Sequence, residues 1–166
     1  MKNTFFLLLL FPFILQALQG ANRESFKVNG QSIIGDTKEQ VITAIGKPDK
    51  VSDDFNEMDD IPVQKLHYGK SILWFERGRL VSWTIKDERL FLVYNDLTIK
   101  VGEPAKILEK PFPKAYEGQN SPGRLSVRLQ LSSSVITGEE GLIDEFINFY
   151  IDPVSLNIEE IILSSY

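Results

Sequence analysis

The fold is decided by the stretch KLHYGKSILWFERGRLVSWTIKD, residues 65–87. It contains three short runs rich in apolar and aromatic residues, Lys65 to Tyr68, Ser71 to Glu76 and Leu80 to Asp87. Two glycine-containing breaks separate the runs, Gly69-Lys70 and Arg77-Gly78-Arg79. Breaks of this length and composition are typical of β-hairpins, so the stretch predicts a meander of antiparallel strands.

A short helix is predicted ahead of this meander. Thr37-Lys38-Glu39-Gln40 has the spacing of a capping box, in which the threonine and glutamine side chains each bond the other residue's backbone amide. Val41 to Ile45 supply an apolar side, Gly46 favours a left-handed stop, and Pro48 prevents continuation. Because so short a helix is unstable alone in water, we expect it to cover one face of the sheet.

The second half of the chain carries a similar set of signals. Pro104 can open a helix with Ala105 to Leu108 as its buried stripe, and Pro111 and Pro113 are expected to end it. Alternating or apolar runs then predict three more strands: Arg124 to Ser132, Phe146 to Ile151 and Ile158 to Leu163.

Short motifs recur in the same order in the two halves. The echoes are Phe26 to Gly30 with Phe91 to Asn95, Ile33 to Asp36 with Lys100 to Glu103, and Trp74 to Leu80 with Tyr150 to Leu156. Coincidental turn chemistry in two ordinary α+β stretches is the alternative explanation. We predict an α+β fold of two similar helix-on-antiparallel-sheet units packed in tandem, over residues 21–89 and 90–166.

The first residues, 1–20, have the pattern of a cleavable secretory signal. Lys2 gives a positive start, Phe5 to Leu15 is almost wholly apolar, and Ala17 to Gly20 leads to a cut after Gly20 or Ala21. A membrane anchor is the alternative, but the apolar run is shorter than the ~20 residues needed to span a bilayer. We therefore expect a periplasmic or secreted product with no stable transmembrane segment after processing.

Composition narrows the classes of partner. The chain has 166 residues, a net charge of −5 and no cysteine. Nucleic-acid binding draws on clustered lysine and arginine, and no such cluster occurs in this sequence, so we expect no nucleic-acid partner. Without cysteine the chain can have neither disulfides nor a lipid-modified terminus, and its stability has to come from packing.

The opening of the first half resembles that of a known family. IGDTKEQV at residues 34–41 and IGKPD at 45–49 are similar to the "G-x-T-x-x-x-V…LG-x-P" pattern of a family of small exported bacterial domains. That family includes the small outer-membrane lipoprotein of the barrel-assembly machine and the tandem-repeat β-lactamase inhibitor protein. Further matches are Tyr68, Trp74, Phe75, Gly78 and Leu80. The resemblance covers residues 26–87 well and 91–163 loosely, where Glu109-Lys110-Pro111 replaces Gly-x-Pro. The resemblance implies the fold of that family and not an activity. The layout of two halves after a cleaved signal is more similar to the inhibitor branch.

Groups typical of catalysis are few. The chain has one histidine, His67, and neither a cysteine nor a Gly-x-Ser-x-Gly elbow, so we expect no catalytic, cofactor or metal site. The acidic run Asp53 to Asp60 lacks the glycine and glutamate positions of a calcium loop. We interpret it as a solvated acidic loop, with a calcium site or a partner-docking loop as alternatives.

The aromatic residues are more informative. Trp74 shares a strand face with Ile72, whereas Leu73 and Phe75 lie on the other face. One face is expected to be covered by the helix and the other by the second half of the chain or by a partner. The candidate partner-binding residues are Tyr68, Trp74, Tyr94 and His67.

The leading hypothesis is an exported, non-enzymatic protein-binding module, inhibitor-like or an envelope accessory, whose partner is another exported or envelope protein. The alternatives are a structural or assembly accessory at the outer membrane and a small hydrolase with an unrecognised site.

Overall fold

The chain is mostly β-structure. The computed structural model describes residues 20–57, 60–118, 125–133 and 141–165, and these contain eleven strands and two α-helices. The strands are β1 (Ala21–Asn22), β2 (Phe26–Val28), β3 (Lys50–Asn56), β4 (Ile61–Tyr68), β5 (Ser71–Glu76), β6 (Arg79–Ile85), β7 (Leu92–Tyr94), β8 (Leu97–Ile99), β9 (Ser126–Ser133), β10 (Gly141–Ile151) and β11 (Ile158–Ser165). The helices are α1 (Lys38–Ile45) and α2 (Pro113–Glu117). The predicted signal segment lies outside the described residues, apart from Gly20.

Eight strands form one large sheet in the order β1-β9-β10-β11-β6-β5-β4-β3. All neighbouring strands are antiparallel except β1, which runs parallel to β9. The predicted first meander, extended by β3, occupies one half of the sheet. The pairing of β6 with β11, where Ile85 lies opposite Ile161 and Trp83 opposite Leu163, joins it to the second meander.

The other three strands form a small antiparallel sheet in the order β2-β7-β8. Phe26 lies opposite Tyr94 and Val28 opposite Leu92. Two of the segments that echo each other in the sequence therefore pair with each other.

The first helix is confirmed, and the second is not. The Thr37 N–H donates to Gln40 Oε1 at 2.8 Å and the Gln40 N–H donates to Thr37 Oγ1 at 3.4 Å, which completes the capping box of α1. Gly46 ends α1 with φ +98°. Ala105–Leu108 forms only a 3-10 turn, and Pro113 begins α2 where the sequence predicted that it would end a helix.

The predicted α+β architecture of two helix-on-sheet units in tandem is wrong. The last strand of each predicted unit, β6 and β11, pairs with the other, so their strands belong to one sheet. Unpaired strand edges expose backbone donors and acceptors. The pairing of β6 with β11 removes two such edges, one from each meander. Among the described residues, α-helix is limited to two short elements. The boundary predicted between residues 89 and 90 stays a prediction.

One face of the large sheet carries the core. We call this face, which carries Leu73, the inner face. The opposite face of the same sheet, which carries Trp74, is the outer face. The Tyr68 hydroxyl on the inner face donates to the Gly46 carbonyl at the end of α1, at 2.8 Å. Phe112, just before α2, lies 6.5 Å from the ring of Phe149. The helices and the small sheet therefore pack on the inner face. No helix among the described residues is long and apolar enough to cross a membrane.

Candidate binding face

The register of the large sheet lines up one residue from each of seven strands on the outer face. From β3 to β9 across the sheet, the row is Lys50, His67, Ile72, Thr84, Ile162, Asn148 and Arg128. Residues directly opposite one another in antiparallel strands point to the same side of the sheet. The row therefore marks a continuous surface that both meanders build.

The next row carries the aromatic side chains. Across β3 to β6 it consists of Ser52, Lys65, Trp74 and Ser82, and across β11 to β9 of Ser164, Phe146 and Gln130. The Ser82 hydroxyl bonds the Leu163 carbonyl of β11, which ties the two parts of the row together. Trp74 and Phe146 thus lie on the same side of the sheet, one in each meander.

Each of these two aromatic rings has a cationic neighbour. Lys65 Nζ lies 5.9 Å from the ring centroid of Trp74, and the guanidinium carbon of Arg128 lies 3.9 Å from that of Phe146. A cation over a ring is attracted by its quadrupole and also covers part of its surface. Lys65 also forms an ion pair with Asp54, and this pairing lowers the pKa of the Asp54 carboxyl. The outer face is therefore apolar in patches and charged around them.

Apolar side chains connect the two aromatic rings. Ile72 precedes Trp74 by two positions on β5, and Ile162 lies opposite Thr84 in the row of seven. Ile72, Trp74 and Ile162 are half-buried, whereas Leu73, Trp83 and Leu163 on the inner face are fully buried. The contrast shows that the core lies on one side of the sheet.

His67 is hydrogen-bonded to a serine on this face. Its Nε2 lies 2.8 Å from Ser52 Oγ across the β3–β4 pair. That distance would suit a nucleophile and its base. A triad also needs a carboxylate on the other ring nitrogen, and no carboxylate of the described residues is hydrogen-bonded to His67.

The two cavities described lie away from this serine and histidine. A cavity of about 360 Å³ lies between α2, β9 and β1, and one of about 460 Å³ lies beside the β7–β8 turn. Neither is lined by Ser52 or His67. The Ser52–His67 pair therefore lies outside both of these cavities.

Tyr68 lies on the inner face, away from Trp74 and His67. Its ring is 1% exposed, and the Arg89 guanidinium carbon lies 5.3 Å from the ring centroid. Burial raises the pKa of the Tyr68 hydroxyl. Arg89 also pairs with Asp49, and this hydrogen bond, together with one from the Gly69 N–H, lowers the pKa of the Asp49 carboxyl.

Tyr94 belongs to the small sheet on the inner side of the molecule. Its ring centroid lies 4.7 Å from that of Phe26 and 4.8 Å from that of Phe112, and it is half-buried. The structure therefore brings together Trp74 and His67 and separates them from Tyr68 and Tyr94.

The acidic run Asp53 to Asp60 is not a loop over its first half. Asp53 to Asn56 belong to β3, Glu57 and Asp60 are turn residues, and Met58 and Asp59 lie outside the described residues. Groups of three acidic, histidine or cysteine side chains that could hold a metal ion do not occur within the described part of the chain.

Sequence reasoning missed Ile162, Phe146 and Asn148 as parts of this face. The alternation along β10, with Ile147 and Phe149 inside and Phe146, Asn148 and Tyr150 outside, was a signal that could have found two of them. Their position beside Trp74 depends on the pairing of β6 with β11, and no local sequence motif predicts that pairing.

Comparison with known proteins gives this face no counterpart. No protein-family model matches the chain, and no curated protein or solved structure shows significant similarity to it.

Proposed function

We propose that this chain is a non-enzymatic protein-binding module that uses the outer face of its large sheet. The observation that supports the proposal is the row of seven residues that runs unbroken through both meanders, with Trp74 and Phe146 in the row beside it. Half-buried apolar residues that serve no internal core are the residues that a partner would cover.

The two rows cover enough of the sheet for contact with a protein. Strands lie about 4.8 Å apart, so seven strands span about 29 Å, and two rows of side chains occupy about 13 Å along the strands. The area of the two rows, about 400 Å², is about half of the roughly 800 Å² that each partner buries in a standard interface.

The chemistry of the face also suits a protein. Trp74, Ile72 and Ile162 give an apolar centre, and tryptophan is among the residues most enriched at interface hot spots. Charged pairs surround it, since Lys65 bonds Asp54 and Lys86 Nζ lies 3.0 Å from Glu160 Oε1. An apolar centre with a charged rim is the usual anatomy of an interface.

Export completes the proposal. The signal-like residues 1–20 make another exported or envelope protein the natural partner. Small-molecule sites are usually concave, and neither of the two cavities is lined by Ser52 or His67, which favours binding over hydrolysis at these residues.

The experiment is a capture from envelope extract by the immobilised protein, followed by titration of the captured partner. Trp74→Ala removes the centre of the face, and we expect it to weaken binding at least about tenfold, as for a hot-spot residue. Val154→Ala is the matched control, because Val154 is 91% exposed, more than any other large apolar residue that the structure describes, and lies in the β10–β11 loop.

The proposal fails if the two variants lose the partner equally, or if no partner binds saturably. Ser52→Ala separates binding from catalysis, since it removes the hydroxyl and leaves the apolar centre intact. Retained binding in Ser52→Ala is the expected result.

A further inference from the structure

The strand at the end of the large sheet, β3, presents an open edge. It pairs with β4 from Lys50 opposite His67 to Asn56 opposite Ile61 without a register shift, and the strand order places nothing described on its other side. Natural proteins usually protect such edges with a proline, a bulge, charged side chains or a covering element. Over its seven residues β3 has no proline and no bulge, and its charged side chains are Lys50, Asp53 and Asp54.

The backbone groups on the open side belong to Val51, Asp53 and Phe55. Pro62 lies opposite Phe55 and has no N–H to exchange, and the Phe55 N–H donates to the Asp54 carboxylate at 2.9 Å. In an antiparallel pair, alternate residues bond the partner strand, and those between them direct their N–H and C=O away. The alternation therefore turns Val51 and Asp53 outward together with Phe55.

The side chains of the same residues form a pattern along the edge. Val51 is 47% exposed and Phe55 is 51% exposed, and Asp53 lies between them on the same face. Asp53 accepts a hydrogen bond from Gln64 Nε2 at 3.0 Å but has no cation within ion-pair distance among the described residues. Along the edge, the side chains of Val51, Asp53 and Phe55 are therefore apolar, acidic and apolar in turn.

The negative charge of Asp53 limits which strands can pair with the edge of β3. A second copy of the chain, paired so that Val51 faces Phe55, would bring Asp53 opposite its own copy, and like charges opposite each other are destabilising. Shifting that pairing by one step places Val51 opposite Asp53. A strand with a basic residue between two apolar residues meets every position favourably.

We propose that the open edge of β3 binds an extended segment of another protein, with the pattern apolar, any, basic, any, apolar, as an added antiparallel strand. Main-chain bonds to the edge supply affinity, and the alternate side chains supply the choice of segment. This surface is separate from the outer face centred on Trp74, so the two proposals can fail independently.

The test uses a labelled peptide with blocked ends, threonine-valine-threonine-lysine-threonine-valine-threonine, titrated against the purified protein by fluorescence anisotropy. We expect saturable binding that weakens at least about fivefold when the lysine becomes glutamate, because one attractive cross-strand pair becomes repulsive. Methylating the lysine backbone nitrogen should abolish binding. Asp53→Lys should reverse the preference, so that the glutamate peptide binds better.

Matched variants locate the binding. Phe55→Thr should weaken binding of the lysine peptide, and Trp74→Ala should leave it unchanged; circular dichroism confirms that each variant is folded. Equal affinity for the two peptides, no saturable binding, or an unreversed preference in Asp53→Lys overturns the proposal. A dimer in sedimentation that Phe55→Thr dissolves would assign the edge to a second copy and also overturn it.

Discussion

Leu73 and Trp74 are consecutive residues of β5, and they belong to opposite faces of one sheet. Leu73 is fully buried beneath the elements that cover the inner face, whereas Trp74 is half-buried among Lys65 and other residues of the sheet. Both faces carry large apolar side chains, so hydrophobicity alone does not separate them. The two faces differ in what the described residues place over them: two helices and a small sheet cover the inner face, whereas Trp74 on the outer face has side chains of the sheet itself, such as Lys65, as neighbours. The difference teaches that one strand can supply stability with one face and a binding surface with the other.

The largest expected effect comes from truncating neighbouring apolar residues of β5. Leu73→Ala should lower the free energy of unfolding by about 2–5 kcal/mol, since it leaves a cavity in a packed core. Ile72→Ala, on the outer face, should cost about 1 kcal/mol or less, mainly through strand propensity. Urea unfolding followed by tryptophan fluorescence measures both. Equal losses would mean that the outer face is packed as tightly as the inner one.

A smaller contrast is expected between Tyr68 and His67, neighbours on β4. Tyr68→Phe keeps the buried ring but leaves the Gly46 carbonyl without its donor, which should cost about 1–3 kcal/mol. His67→Ala removes a half-buried contact with Ser52 and should cost under about 1 kcal/mol. Thermal unfolding of the two variants measures both losses of stability. A larger loss for His67→Ala would contradict the assignment of the core to the face that carries Tyr68.

The cap of the helix that covers the inner face should contribute about as much as one hydrogen bond. Thr37→Ala removes the acceptor of the Gln40 N–H and should cost about 1 kcal/mol. Thr43→Ala is the control within the same helix, because its hydroxyl only bonds back to the Glu39 carbonyl, at 2.8 Å, and alanine favours helix. Chemical denaturation should show a loss for the first and none for the second.

Local signals in the sequence predicted local structure well. The capping box of α1, the two hairpins of residues 65–87 and the alternation of β9 are each written within a few neighbouring residues, and the structure contains them. The alternation also predicted that Trp74 shares a face with Ile72, and the β4–β5 register places His67 opposite Ile72 on that face.

The pairing between distant segments could not be predicted in this way. Gly35 and Gly102 make matched contacts, since their N–H groups donate to the carbonyls of Leu80 and Ile158 at 3.0 and 2.7 Å. The next elements differ, because Thr37 caps a helix whereas Pro104, without a hydroxyl, makes no side-chain cap and precedes a 3-10 turn. The similar motifs in the two halves therefore predicted two similar units. In the structure the end strands β6 and β11 pair with each other and join the two halves in one sheet.

β3 escaped prediction for a different reason. Aspartate and asparagine are depleted in strands, so the acidic composition of residues 53–60 favoured a loop. In the structure Asp54 bonds Lys65 and Asp53 accepts from Gln64, both on β4, so cross-strand partners offset the low propensity. Intrinsic propensity is a weak guide where the neighbouring strand supplies the partner.

The smallest expected effect is the response of the two sides of the sheet to acid. Hydrogen bonding to Arg89 beside Tyr68, and to Lys65 on the outer face, lowers the pKa of the carboxyls of Asp49 and Asp54. A carboxyl whose pKa is lower in the folded state stabilises the fold above its unfolded pKa of about 3.9, and that contribution is lost as the pH falls through the folded value. Stability should therefore decrease on acidification below about pH 4.

Asp49→Asn and Asp54→Asn, compared in denaturant titrations from neutral to acid pH, separate the two contributions. Each should flatten the acid limb of the stability curve to a similar extent, because each carboxyl accepts one hydrogen bond from a cation and one from a backbone N–H, that of Gly69 at 2.7 Å for Asp49 and that of Phe55 at 2.9 Å for Asp54. Both ion pairs are partly exposed, so solvent screens both. A much flatter curve for one variant than for the other would mean that one side of the sheet shields its ion pair from water better than the other side does.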